Sequence, residues 1–215
     1  MSVSRRTLIA ASLATGATAL GLHRWFGDDD PGRSHRAPGR SVRLQPLGDD
    51  LADQDLAQAR RAIERHFGAS VEVLPRLPMP QAAYYPPRRR YRANRLLDAL
   101  AGLPAGTGQY TLGVTAVDIS WTKGAHEDWG VLGLARIGGS VGVVSSFRCG
   151  AAAVGRERAS ERFGKVAAHE LGHCLGLQHC ATDYCLMRDA ESRVATLDDS
   201  RGLCPRCRAR LTAPA

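Results

Sequence analysis

The sequence has no apolar segment long enough to span a membrane. The best candidate, residues 7–22, is an uncharged stretch of 16 residues, whereas a spanning helix needs about 20 predominantly apolar residues. Its Thr, Ser and Gly content lowers its hydrophobicity further. No internal repeat is present either, and 215 residues are enough for one sizeable domain but few for two.

Cysteine is scarce and unevenly placed. Two of the six cysteines, Cys149 and Cys174, stand alone, and the others form two pairs near the C-terminus. Disulfide frameworks are typical of short chains with small cores, whereas 44% hydrophobic residues supply this chain with a sizeable core. Metal ligation is therefore the preferred interpretation of the two pairs, with two disulfides as the alternative. Cys149 and Cys174 are expected to be small buried residues, or a disulfide in an oxidising compartment.

The charge balance is basic, with 29 Lys+Arg against 21 Asp+Glu and a formal charge of +8. Residues 88–92 hold four of the arginines beside Tyr84, Tyr85 and Tyr91. Aromatic and basic side chains together can bind single-stranded nucleic acid. The favoured interpretation is solvated surface where an unstructured loop enters a helix, so no nucleic-acid partner is expected.

Residues 1–22 resemble a twin-arginine export signal. Arg5 and Arg6 precede the uncharged stretch, and residues 17–19 offer a small-residue cleavage site. We therefore expect a periplasmic or extracellular protein, the alternatives being a cytoplasmic one or one anchored by an uncleaved signal. The membrane is expected to be contacted only through this segment. Residues 23–41 are charged and rich in Pro and Gly, which predicts a flexible linker.

Residues 42–211 are expected to form one folded domain. Hydrophobic periodicity and breaker residues predict the following elements: a strand at 42–47, a helix at 51–67 ended by Gly68, a strand at 71–74, a Pro-rich loop at 75–87, a helix at 88–103, a strand at 110–119, two strands within 131–146, and a helix at 158–175. This order indicates an α/β domain with a mixed sheet, and we expect a monomer.

The last predicted helix carries a metal-binding pattern. His169 and His173 are four residues apart with Glu170 between them, and side chains at i and i+4 lie on one helix face. Both imidazoles can therefore bind one zinc ion, while Glu170 is placed near the metal as a general base acting on zinc-activated water.

The residues after His173 make the pattern more specific. Gly176 can adopt the positive φ that ends a helix and turns the chain, and His179 follows three residues later. The sequence thus predicts three imidazole ligands and a fourth position open to water. Fortuitous core histidines are the alternative.

A second metal site is predicted directly after His179. Cys180, Cys185, Cys204 and Cys207 match a closed four-thiolate zinc site, which is structural because it leaves no position for water. Because Cys180 adjoins His179, this ion would also help to position the third histidine. The position of Met187 resembles that of the methionine that metzincin peptidases place beneath the catalytic metal; a core methionine is the alternative, and the two are compatible.

These motifs together resemble the archaemetzincin family of metzincin zinc peptidases. The family pattern joins the three-histidine motif to an immediate Cys, a four-residue gap, Cys-x-Met and a downstream Cys-x-x-Cys; the gap before the last pair is sixteen residues here and usually seventeen in the family. The matching residues are His169, Glu170, His173, Gly176, His179, Cys180, Cys185, Met187, Cys204 and Cys207.

The resemblance implies an α/β (α+β) zincin fold of the metzincin type. It consists of a mixed twisted sheet, an active-site helix and a small C-terminal subdomain stapled by zinc, with the active-site cleft between them. It also implies two Zn²⁺ ions, one catalytic and one structural.

The expected activity is hydrolysis of peptide bonds in a peptide or protein substrate. Glu170 takes a proton from zinc-activated water and returns it to the departing amine. The alternative is a zinc-stabilised module that binds proteins or peptides with little or no turnover. The presence of Glu170 argues against it, since a structural site needs neither a base nor an open coordination position.

Overall fold

The computed structural model describes residues 40–106, 109–190 and 193–212. The predicted signal and nearly all of the linker therefore lie outside the described residues. The elements within them are β1 (Ser41–Pro46), α1 (Asp53–Phe67), β2 (Ser70–Val73), β3 (Tyr84–Tyr85), β4 (Arg90–Arg92), α2 (Ala93–Ala101), β5 (Gln109–Thr115), β6 (Ile119–Lys123), β7 (His126–Val131), β8 (Gly133–Ala135), β9 (Val141–Ser145), α3 (Ala151–Val154), α4 (Arg156–Cys174) and α5 (Pro205–Thr212).

The main sheet has five strands in the order β2-β1-β5-β9-β8. Its strands are parallel except for β8, which pairs antiparallel with β9 and forms one edge. Both faces of the central strands are covered, so residues 111–115 of β5 and all of β9 are buried. On one face Leu44 and Leu112 pack in a core with α1 and α4, and on the other Val143 packs against α2.

A second, four-stranded sheet follows the order β3-β4-β6-β7. Its main feature is the antiparallel hairpin formed by β6 and β7. The chain passes from this sheet into the main sheet at Leu132, between β7 and β8. The hairpin is therefore continuous in sequence with edge strand β8, which contacts α4.

Two predictions fail in this second sheet. The arginine run is not unstructured, solvated surface: residues 90–92 form β4, and the side chains of Arg90 and Arg92 are 16% and 13% exposed. Each pairs with an aspartate distant in sequence, Arg90 with Asp118 at 3.1 Å and Arg92 with Asp128 at 3.5 Å. The predicted strand at 110–119 is also interrupted, since β5 ends at Thr115 and β6 begins at Ile119.

The C-terminal segment folds back beneath α4. Gly176 has a φ of 88°, as the sequence predicted for the turn after the helix. Residues 180–187 then run beside residues 202–204, joined by a parallel bridge between Cys185 and Gly202. This segment and α5 form the small C-terminal subdomain.

Within the described residues, no helix is both long enough and apolar enough to span a bilayer.

Candidate metal centres and active site

The three predicted histidines come together at the C-terminal end of α4. One ring nitrogen from each of His169, His173 and His179 lies within 4.8 Å of the other two. The Nε2 atoms of His173 and His179 are 3.3 Å apart. Two nitrogens bound tetrahedrally to zinc at 2.0–2.1 Å are about 3.3 Å apart, so this spacing fits a zinc ion.

Backbone carbonyls orient two of the imidazoles. Nδ1 of His169 lies 2.7 Å from the Leu186 oxygen, and Nδ1 of His173 lies 2.8 Å from the Leu177 oxygen. Each Nδ1 therefore donates its proton to a carbonyl, and each Nε2 presents a lone pair to the shared centre. Burial lowers the pKa of His169 to about 4 and also lowers that of His173, so both rings are neutral, as metal ligands must be.

The third histidine is more exposed and has an acidic neighbour. Nδ1 of His179 lies 3.5 Å from Oδ2 of Asp189. A carboxylate beside a ligating imidazole orients the ring and raises its basicity. Asp189 could not be singled out from the sequence, because its spacing from His179 matches no recognisable motif.

Glu170 is buried beside the histidines, with 7% of its surface exposed to solvent. Its carboxyl group lies against Gly133 on β8: a Cβ atom at that glycine would be 2.6 Å from Oε1 of Glu170. Burial raises the pKa of this carboxyl to about 8, a range in which a side chain can accept and return a proton near neutral pH. Gly133 thus makes room for the proposed base, a role that its sequence context does not reveal.

Met187 is fully buried beneath the histidine helix. A Cβ atom at Gly172 would be 2.4 Å from the Met187 sulfur, so a larger residue at this position of α4 would displace the methionine side chain. The N–H of Cys180 also donates to the Met187 carbonyl at 2.8 Å. The methionine therefore supports the helix and the chain that follows His179.

The four C-terminal cysteines also form one cluster, with their sulfurs within 4.8 Å of one another. The sulfurs of Cys180 and Cys204 are 3.8 Å apart, and those of Cys185 and Cys207 are 3.7 Å apart. Sulfurs bound tetrahedrally to zinc at 2.3 Å are about 3.8 Å apart, whereas a disulfide bond is about 2.05 Å long. All four are free thiols, and their spacing fits a zinc ion.

Cys149 and Cys174 are buried thiols in separate places. The Cys149 carbonyl accepts a 3.0 Å bond from Arg162, and Cys174 is twelve residues further along α4, about 18 Å at the helical rise. A disulfide between them is excluded by this separation. Burial raises the pKa of both thiols to about 12, which makes them unreactive.

The histidines open onto a cleft of about 590 Å³. Hairpin β6–β7, strand β8 and the C-terminal segment form its walls, and Arg148 lies beside the hairpin. The residues that line it are Trp121, Lys123, Trp129, Gly130, Val131, Leu132, Gly133, Arg148, Val166, His169, Glu170, His179, Arg188, Asp189, Ala190, Val194 and Leu197.

Comparison with known proteins supports the resemblance. The sequence model of Peptidase family M54 matches residues 68–213. An archaemetzincin of Archaeoglobus fulgidus is 34% identical over 70% of this chain and 86% of its own length, and one of Methanopyrus kandleri is 36% identical over 61% and 71%.

Solved structures agree with the sequence relatives. The archaemetzincin of A. fulgidus complexed with malonate has a TM-score of 0.66 at 33% identity, covering 79% of this chain and 99% of its own. The archaemetzincin of M. kandleri has a TM-score of 0.70 at 29% identity, covering 82% and 95%. The predicted metzincin-type fold is thereby confirmed. The chain belongs to the archaemetzincins of Peptidase family M54 and is a zinc metallopeptidase.

Proposed function

We propose that this chain hydrolyses peptide bonds at a catalytic zinc ion held by His169, His173 and His179, with Glu170 as general base. The observation that carries the proposal is the convergence of three imidazole nitrogens beside a buried carboxyl on one wall of an open cleft. When bound, zinc polarises the scissile carbonyl and lowers the pKa of a water molecule towards about 7.

Glu170 performs the proton transfers. Its carboxyl group takes a proton from the attacking water and delivers it to the departing amine, which needs a pKa near the working pH. The close contact with Gly133 fixes the carboxyl on the side of the cleft where β8 runs. Burial keeps His169 and His173 neutral by lowering their pKa, and their carbonyl partners fix the proton on Nδ1, so they do not compete for that proton.

Strand β8 is the proposed substrate-binding strand. It pairs with β9 on one side and is the last strand of the sheet, and Leu132 and Gly133 line the cleft. An extended peptide can add to such an edge by main-chain hydrogen bonds. These bonds would place a peptide carbonyl near Glu170.

We propose a second, structural zinc ion bound by Cys180, Cys185, Cys204 and Cys207. The thiolate cluster leaves no ligand position for water, and it closes the C-terminal subdomain around the chain that carries His179 and Met187. Its role is to hold His179 and Met187 in place.

Digestion of a peptide library tests the activity. The zinc-loaded protein should cleave peptides, a chelator should abolish cleavage, and added zinc should restore it. Binding of partner peptides without any cleavage, insensitive to chelator, would instead favour a zinc-stabilised binding module.

We also propose that residues 1–22 direct export, residues 23–41 link them to the domain, and residues 42–211 form a monomeric peptidase. The support is the paired Arg5 and Arg6 before the uncharged stretch. Replacing both arginines with lysine should leave the protein in the cytoplasm, and unchanged export would reject the twin-arginine assignment.

A further inference from the structure

The β6–β7 hairpin presents an aromatic and cationic wall to the cleft. Trp121 and Trp129 are register partners across the hairpin, and both line the cleft together with Lys123. The ammonium nitrogen of Lys123 lies 5.7 Å from the centre of the Trp129 ring, at cation–π distance. The cation is thus held beside an apolar surface on which a peptide can lie.

Arg148 adds a second cation to the lining of the same cleft. Its guanidinium contacts the hairpin at Gly130, where a Cβ atom would be 2.2 Å from Cζ. Its Nε and Nη2 donate to the two carboxylate oxygens of Asp118 at 2.7 and 2.9 Å. This two-point contact fixes the guanidinium plane without using Nη1, whose N–H groups can donate to a ligand.

Asp118 neutralises Arg148 only in part, because the aspartate is shared. Arg90 also pairs with Asp118, and Asp128 pairs with Arg88, Arg90 and Arg92. Four guanidinium groups therefore share two carboxylates, which is an excess of two positive charges among these six side chains. Such an arrangement attracts anions into the adjoining cleft.

We propose that Lys123 and Arg148 form a carboxylate-binding subsite, which selects peptides with an acidic group near the scissile bond. The inference rests on the proposed function, since it names the substrate class of that site. The carboxylate can belong to an acidic side chain or to the C-terminus of the peptide. Charge-assisted hydrogen bonds in a partly buried cleft should favour the acidic peptide about tenfold.

Binding of matched peptides to the zinc-loaded Glu170→Gln protein tests the subsite by calorimetry without turnover. The probes are short acetylated alanine peptides: one pair carries a single Glu or Gln and ends in an amide, and the other ends in a free carboxylate or an amide. The first pair reports a side-chain carboxylate and the second a terminal one. Preference for the acidic member of either pair is expected.

Substitutions then assign the preference to the two cations. Lys123→Gln and Arg148→Gln should each reduce the preference from about tenfold to about twofold or less, with unchanged affinity for the neutral peptide. If either side chain had only a structural role, its loss would lower the affinity for the acidic and the neutral peptide equally. Arg60→Gln is the control, because Arg60 is an exposed cation paired with Glu64 within α1, and it should keep the full preference.

Arg148→Gln removes the contact with Asp118 and could fail to fold for that reason. Lys123→Glu then still tests the subsite. This reversal should make the protein favour the neutral peptide over the acidic one. Equal binding of acidic and neutral peptides by the parent protein, or an unaltered preference in the Lys123 variants, would overturn the proposal. Acid-selective binding by the Glu170→Gln protein, together with no cleavage of any peptide by the unsubstituted protein, would leave the subsite standing and reject the peptidase activity instead.

Discussion

The Leu186 carbonyl accepts a 2.7 Å hydrogen bond from Nδ1 of His169. Leu186 lies between Cys185 and Met187, and its N–H donates at 2.7 Å to Gly202, two residues before Cys204. The segments that carry the four cysteines therefore hold the residue whose carbonyl orients a histidine of the proposed catalytic site. A second connection is covalent, since Cys180 follows His179.

Removing two thiolates should consequently affect both metal sites. We expect Cys204→Ser/Cys207→Ser to bind one zinc ion in place of two. The remaining site should lose at least tenfold in zinc affinity, since loss of the groups that orient ligands typically costs 10–100-fold. Metal analysis and competitive zinc titration measure both effects. Cys149→Ala is the matched control, and two ions in the double variant would reject the two-site account.

A methyl group at position 133 should displace Glu170. The Cβ atom of Gly133→Ala would be 2.6 Å from Oε1, so the carboxyl must move, and a 1 Å misplacement can lower the rate about 10²-fold. We expect kcat to fall by about that factor while the zinc content stays unchanged, as steady-state kinetics and metal analysis would show. Gly102→Ala, at the end of α2 with its nearest neighbour at 3.4 Å, should be nearly neutral. Full activity in Gly133→Ala would contradict the placement of the base.

Truncation of the buried methionine should destabilise the domain. Met187 is fully buried and contacts Gly172, so Met187→Ala should lower the free energy of unfolding by about 2–5 kcal/mol. Met187→Leu, which nearly conserves volume, should cost less than about 1.5 kcal/mol. Denaturant titrations of the zinc-loaded variants measure both, and equal stability of the two would show that the packing beneath the helix is unimportant.

His66 should make stability fall in mild acid. Burial, together with Arg65, Arg208 and Lys165, lowers its pKa from 6.5 to about 4. Between these values the unfolded chain binds more protons than the folded one, so stability is fully present above about pH 6.5 and is lost as the pH falls towards 4. The loss attributable to His66 is about 3 kcal/mol.

Denaturant titrations at pH 7 and pH 4 isolate this contribution. His66→Gln should lose less stability than the parent protein over this interval by about 3 kcal/mol. Protonation of other groups affects both proteins alike and cancels in the difference. Identical losses in the two proteins would remove His66 from the explanation.

Sequence reasoning was most successful where the relevant contacts are local. His169 and His173 share a helix face by their spacing alone, and the turn at Gly176 follows from its conformational freedom. The cysteine pairs likewise carry a recognisable spacing. These features brought both clusters of candidate ligands into view before any three-dimensional information.

Contacts between distant residues could not be read in the same way. Strand β4 is stabilised by Asp118 and Asp128, about 30 residues away, so its arginines looked like solvated surface. The hairpin wall was missed because Trp121 and Lys123 follow no strong apolar alternation. The Leu186 carbonyl carries no side-chain signal at all, although it orients a ligand.

Substitution of the proposed general base tests the central claim most directly. Glu170→Gln preserves size and removes the group that accepts the proton, so cleavage of any peptide hydrolysed by the parent protein should fall by about 10²–10⁴-fold. Metal analysis of the same sample should show that zinc is retained. A Glu170→Gln protein that keeps its zinc and cleaves peptides at the parent rate would contradict the account.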